Sequence, residues 1–155
     1  MTDRSESYSL RPARGIDSDE VSELVDRAYG RYVERIGMLP GPMREDYAAV
    51  IRDKRVTVAE EDGEIVGVLV LSVTDEGFGI DNVAVDPSRR GIGLGRTLLE
   101  LAEAAARRAG FDSVYLYTHE GMVENLELYS RIGYAEYDRR SRGEFSLVFM
   151  RKPLG

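Results

Sequence analysis

Between Asp86 and Arg96 the chain reads Asp-Pro-Ser-Arg-Arg-Gly-Ile-Gly-Leu-Gly-Arg, with Gly91, Gly93 and Gly95 at alternate positions. Glycines at this spacing let the backbone come close to a ligand, and the free N–H groups of a helix that starts there attract an anion. Arg89, Arg90 and Arg96 add positive charge in a chain that is acidic elsewhere. The chemistry that suits such a loop is the binding of a pyrophosphate; the plainer alternative is a tight turn with solvated arginines. Two familiar phosphate loops do not fit. A P-loop ends in Gly-Lys-Ser/Thr, whereas Gly95 is followed by Arg96-Thr97, and the dinucleotide fingerprint needs a glycine where Arg96 stands, three residues after Gly93.

The side chains available for catalysis are few in kind. There is no cysteine, which excludes disulfides, thiolate metal sites and a cysteine acyl-enzyme. The single histidine, His119, excludes a multi-histidine metal centre, so no metal is expected. Chemistry here rests on carboxylates, tyrosines, hydroxyls or backbone groups.

The elements that hold these residues follow from periodicity. Tyr8–Arg14 reads as an edge strand, Asp17 to about Val33 as one helix opened by Asp17 and Glu20 at capping-box spacing, and Ile36–Met43 as a Gly/Pro-punctuated loop before a short helix from Arg44 to about Ile51. Val56–Glu60 and Glu64–Val73 form a hairpin about Asp62-Gly63, and Gly79–Val85 adds a third antiparallel strand. Leu94, Leu98, Leu101, Ala102, Ala105 and Ala109 make an apolar helical stripe, with Arg96, Glu100, Glu103 and Arg107 on the other faces and Gly110 as the stop. Ser113–Thr118 reads as a buried strand, Met122–Ile132 as a helix closed by Gly133, and Tyr134–Ser141 with Phe145–Lys152 as a terminal hairpin. The expectation is an α/β (α+β) fold: a single mixed, mostly antiparallel sheet with flanking helices, in one domain over residues 1–155 whose first seven are flexible.

With 155 residues, 43% of them hydrophobic, the chain can bury a core of its own. A net charge of -7 argues against nucleic acid as a partner. The longest apolar run, Ile65–Val73, is far short of the roughly 20 residues of a membrane span. The polar start Met1–Ser7 lacks the apolar stretch of a secretory signal, so a cytoplasmic location is expected. The terminal hairpin offers an edge through which a homodimer can pair.

Val83-Ala-Val-Asp-Pro-Ser-Arg-Arg-Gly-Ile-Gly-Leu-Gly-Arg-Thr-Leu-Leu99 resembles motif A of the GNAT superfamily of N-acetyltransferases, whose loop has the form Arg/Gln-x-x-Gly-x-Gly/Ala. Arg90, Gly93 and Gly95 fill the three fixed positions. Downstream, Glu124-Asn-Leu-Glu-Leu-Tyr-Ser-Arg-Ile-Gly-Tyr134 resembles motif B, with Asn125, Tyr129 and Gly133 at the expected spacing. The order of strands and helices is also that of the superfamily.

The resemblance implies acetyl-CoA as co-substrate and a small-molecule or peptide primary amine as acceptor, attacking directly in a ternary complex. It implies that Val83, Ala84 and Val85 offer backbone groups to the pantetheine and thioester. The segment Arg90, Gly91, Ile92, Gly93, Leu94, Gly95 and Arg96 would hold the pyrophosphate, and Tyr129 would be the general acid. Asn125 either bonds the pantetheine arm or caps its own helix, and Arg131 reaches either a nucleotide phosphate or solvent.

For the general base, Asp81 lies where family members carry an acid, on the face of Val83 and Val85 by strand alternation. Glu120 is its rival and Glu34 a third candidate, with His119 as a base or a substrate contact. Tyr29, Tyr32, Tyr47 and the Met38–Met43 loop lie in the segment that covers the acceptor. They either line an amine site or pack between the first two helices. Two other readings are an acyl-CoA-binding or sensing module without turnover, and an acetyltransferase of protein N-terminal or lysine amines.

Overall fold

In the computed structural model, residues 8–89, 93–143 and 145–155 are described; the first seven residues, Arg90, Gly91 and Ile92 of the glycine loop, and Glu144 lie outside them. The described strands are β1 (Ser9–Pro12), β2 (Arg55–Glu61), β3 (Glu64–Thr74), β4 (Gly77–Val85), β5 (Ser113–His119), β6 (Ala135–Arg142) and β7 (Phe145–Pro153). They form one sheet in the order β1-β2-β3-β4-β5-β7-β6. Every neighbouring pair is antiparallel except β4 and β5. The expected mixed, mostly antiparallel sheet is thus observed.

Helices α1 (Ser18–Tyr29), α2 (Tyr32–Ile36) and α3 (Tyr47–Asp53) carry one apolar cluster with Val58, Ile65 and Val68, while α4 (Leu94–Arg108) and α5 (Val123–Arg131) carry the other with Leu69, Ile80 and Val114. No described helix is long and apolar enough to cross a membrane.

The single helix expected to Val33 is two. Gly30 ends α1, its N–H donating to the Asp26 carbonyl at 2.9 Å, and a separate turn begins beyond it, where the Val33 N–H donates to the Gly30 carbonyl at 3.2 Å. Neither partner of the expected capping box caps α1. The Asp17 carboxylate is buried, accepting from the Arg14 N–H at 2.7 Å and pairing with Arg11 at 2.8 Å. Glu20 accepts the Ile65 N–H at 2.6 Å, tying α1 to β3. The third helix starts later than expected, at Tyr47, because Asp46 caps it through the Ala48 and Ala49 N–H groups. Glu103, assigned to the polar side of α4, is instead buried and paired with Lys152 of β7 at 3.0 Å.

Two departures from regular pairing shape the site. β4 and β5 are in register only at Gly79 with Tyr115 and Ile80 with Leu116. Beyond that point β4 stays with β3 as far as Val85, and β5 stays with β7 as far as His119, so the sheet parts between them. Opposite β3, Val70 pairs with Asn82 while Leu71 pairs with Ile80, which leaves Asp81 as the extra residue of a bulge. At the far edge, β6 is exposed and studded with ion pairs, Glu136 with Arg139 and Asp138 with Arg140, a pattern that discourages edge-to-edge pairing.

Candidate active site

Two clefts open where β4 and β5 part. The first has a cavity of about 440 Å3, walled on one side by Val83, Ala84 and Val85 and on another by Gly93, Leu94, Gly95 and Arg96 at the start of α4. Gly93 stands at φ 84°, in the left-handed region that favours glycine, and its carbonyl accepts the Thr97 N–H that closes the first turn. The N–H groups of Leu94, Gly95 and Arg96 precede that bond and have no intrahelical acceptor, so they are available to an anion. The first turn holds no acidic side chain. Of the arginines read as an anion-binding cluster, Arg89 lines this cleft but is tied to Glu61 at 3.1 Å, and exposed Arg96 leans toward Glu100 at 3.6 Å. The main-chain dipole adds to the positive character of this end.

The opposite wall is a cross-tie between α2 and α5. Arg35 Nη1 donates to both Glu124 oxygens, at 2.8 and 2.6 Å, and the Tyr32 hydroxyl donates to the same carboxylate at 3.1 Å. These donors hold the Glu124 carboxyl at about 2, led by Arg35. Tyr32 also accepts from Arg31 at 2.8 Å. Tyr32, expected near the acceptor, therefore faces the first cleft.

The second cleft is smaller, about 200 Å3, and its walls are side chains: Asp81 and Asn82 from β4, Tyr47 and Lys54 about α3, Tyr117 and His119 from β5, Arg142 and Phe145 from the β6–β7 hairpin. Asp81 carries a 2.6 Å ion pair to Lys54 and accepts from Ser72 at 2.9 Å. Its alternation with Val83 and Val85 holds, since 82 and 84 are the buried members, whereas the bulge leaves Phe78, Gly79 and Ile80 buried in succession. His119 Nδ1 accepts the Gly121 N–H at 2.9 Å, which leaves the proton of the neutral ring on Nε2.

Tyr29, Val83, Asn125 and Tyr129 line both clefts and so mark their junction. Tyr129 is 7% exposed and sets its ring edge against Tyr134 at 5.8 Å. Its hydroxyl meets no partner among the described residues, and burial pushes its pKa well above that of a free phenol. It therefore keeps its proton at neutral pH and can donate it. Asn125 turns its amide toward the Met122 sulfur at 3.8 Å and does not cap α5.

Glu34 and Glu120 are exposed and line neither cleft; Glu120 stands 3.6 Å from Arg139. Arg131 lies on the outer face of α5, in a shallow hollow with Leu126 and Ser130. No group of histidine or acidic side chains suited to a metal occurs among the described residues.

One functional candidate escaped the sequence reading. Asn82 is 6% exposed, accepts the Tyr29 hydroxyl proton at 2.8 Å and donates to the Tyr47 hydroxyl at 3.1 Å. Tyr47 in turn donates to the Pro42 carbonyl at 2.6 Å. This chain pins the Gly41–Arg44 turn over the second cleft. The available signal was an asparagine, a poor strand former, inside the apolar run Ile80–Val85.

The profile of the acetyltransferase (GNAT) family matches residues 19–134, and the chain belongs to that family. It is 35% identical over 108 residues to an IAA acetyltransferase of Azospirillum brasilense, a match covering 66% of this chain and 69% of the relative. It is 36% identical over 81 residues to a mycothiol acetyltransferase of Thermomonospora curvata, there covering 52% of this chain but only 27% of that longer protein. Among solved structures, the PaiA N-acetyltransferase of Thermoplasma acidophilum in complex with coenzyme A superposes with a TM-score of 0.78 at 19% identity, covering 95% of this chain and 99% of that one.

Proposed function

We propose that the protein transfers an acetyl group from acetyl-CoA to a primary amine by direct attack in a ternary complex, with the donor in the first cleft and the acceptor in the second. The observation that carries this reading is the Tyr129 hydroxyl, protonated and without a described partner at the junction of the clefts. Free amides at the start of α4 suit a pyrophosphate. The main chain of Val83–Val85 lies where β4 has left β5, so it can pair with the amide groups of a pantetheine arm. Bound acetyl-CoA supplies the thioester carbonyl that the amine attacks.

The residues of this chain then have separate tasks. A free amine is mostly protonated at neutral pH and must lose its proton before attack. Asp81 is the carboxylate within the second cleft nearest in sequence to Val83. Lys54 and Ser72 occupy only part of its capacity, since a carboxylate has about four lone-pair sites. It takes that proton directly or through water. Tyr129 gives its proton to the leaving sulfur, and Asn125, beside it, orients the donor arm. Without cysteine there is no thioester acyl-enzyme to form, which favours direct attack.

The test has two parts. Acetyl-CoA at about 100 times its dissociation constant is expected to stabilise the fold by about 2.7 kcal/mol, and an amine panel is expected to release free CoA thiol. A thermal shift with no thiol release would favour a sensing module; no shift at millimolar acetyl-CoA would contradict the assignment of the first cleft.

A further inference from the structure

The charges around the second cleft are unevenly distributed. Toward β4, Lys54 is bonded to Asp81, and Glu45 adds a second acid, so this side is neutral to negative. Toward the β6–β7 hairpin stands Arg142, its guanidinium 6.0 Å from the centre of the Tyr117 ring. Arg44, from the turn that covers the cleft, lies 5.0 Å above the ring of Phe145, the wall residue that pairs with Arg142 in the hairpin. Tyr117 sits between the two sides, with Asp81 and Lys54 acting on its hydroxyl from one and Arg142 from the other.

Many arginines of this acidic chain are engaged, Arg11 with Asp17, Arg35 with Glu124, Arg89 with Glu61 and Arg139 with Glu136. Among the described residues Arg44 and Arg142 form no ion pair, and Arg142 is the arginine that lines the second cleft. A guanidinium laid over an aromatic ring keeps its N–H edge open for a bidentate, planar partner. One such group on the wall of the cavity and a second on the wall residue Phe145, with Asp81 on the β4 side, make a bipolar site.

We infer that the acceptor is a small amine carrying its own carboxylate, with the carboxylate on Arg142 and Arg44 and the amine directed to Asp81 and Tyr129. This rests on the acetyltransferase reading and narrows it. The cleft itself opposes a purely cationic acceptor, because Asp81 is already matched by Lys54. A phosphorylated amine is disfavoured by the volume of about 200 Å3, much of it bounded by Tyr47, Tyr117, Phe145 and Leu147.

The experiment compares matched acceptors: 4-aminobutyrate with propylamine and with 4-aminobutanamide, and phenylalanine with phenethylamine. The readout is kcat/KM from CoA thiol release. The carboxylated member is expected to lead by about tenfold or more, the scale of a charge-assisted pair. In the double variant Arg44→Gln, Arg142→Gln that lead is expected to fall toward one, while Arg107→Gln, on the exposed face of α4, retains it. Equal or better turnover of the uncharged amines, or a preference that survives in the double variant, overturns the carboxylate assignment and leaves the acetyltransferase intact. An absence of thiol release with every amine, charged or not, counts against both.

Discussion

The cleft beside α4 presents main chain along two of its sides, the β4 backbone from Val83 to Val85 and the first amides of α4, and faces them with the Tyr32–Glu124 tie. The cleft beneath the β6–β7 hairpin is walled by side chains from segments far apart in sequence, Tyr47 and Lys54 on one side, Tyr117, Arg142 and Phe145 on the other. Recognition by backbone restricts which residues the chain can carry, because close approach and a φ of 84° at Gly93 demand glycine. Recognition by side chains imposes no such local rule. A donor common to the family can thus be held by a fixed loop, while the acceptor changes with a handful of exchangeable residues.

The comparison can be broken where the clefts share a hinge. Gly79 faces Tyr115 in the short parallel stretch, and a Cβ there would lie 2.7 Å from the ring carbons. Gly79→Val is expected to cost about 3 kcal/mol by forced repacking, seen in denaturant unfolding, and to weaken both clefts together.

A change remote from both clefts supplies the control. Arg11, with the Arg14 N–H assisting, holds the Asp17 carboxyl at about 2 against the burial that would raise it. A carboxyl depressed in the fold stabilises it fully above its unfolded value of about 3.9, and that contribution, about 2 kcal/mol, is lost as pH falls from about 4 to about 2. Asp17→Asn is expected to lower stability at pH 7 and to flatten this acid limb, with neither KM altered.

Smaller substitutions separate the two sides. Gly93→Ala, strained by about 1 kcal/mol in the left-handed region, is expected to raise KM for acetyl-CoA several-fold and leave the acceptor KM alone. Tyr47→Phe removes the bonds to Pro42 and Asn82, at about 1 kcal/mol. It is expected to do the reverse. If either variant moved both constants equally, the division of labour would be wrong.

The same division explains what could be read in advance. The succession of strands and helices along the chain, the glycine at the start of α4 and the placement of Asn125 and Tyr129 on α5 were legible because each depends on a contiguous pattern. The break at Gly30 was not, since a glycine within a helical period is compatible with continuation. Nor were the buried charges: Glu103 sits at a polar phase of α4, and only the approach of Lys152 from β7 makes its burial tolerable. The bonds of Asn82 to Tyr29 and Tyr47 join residues 53 and 35 positions apart, and Arg44 meets Phe145 from the far end of the chain, which no local spacing encodes.

The most direct test of the account is Tyr129→Phe, measured as acetyl-CoA affinity beside the single-turnover rate of acetyl transfer to the best amine of the panel. The account predicts unchanged affinity and a rate about a hundredfold lower or more, the scale of a lost general acid. A variant that binds acetyl-CoA and transfers acetyl at the full rate would contradict it.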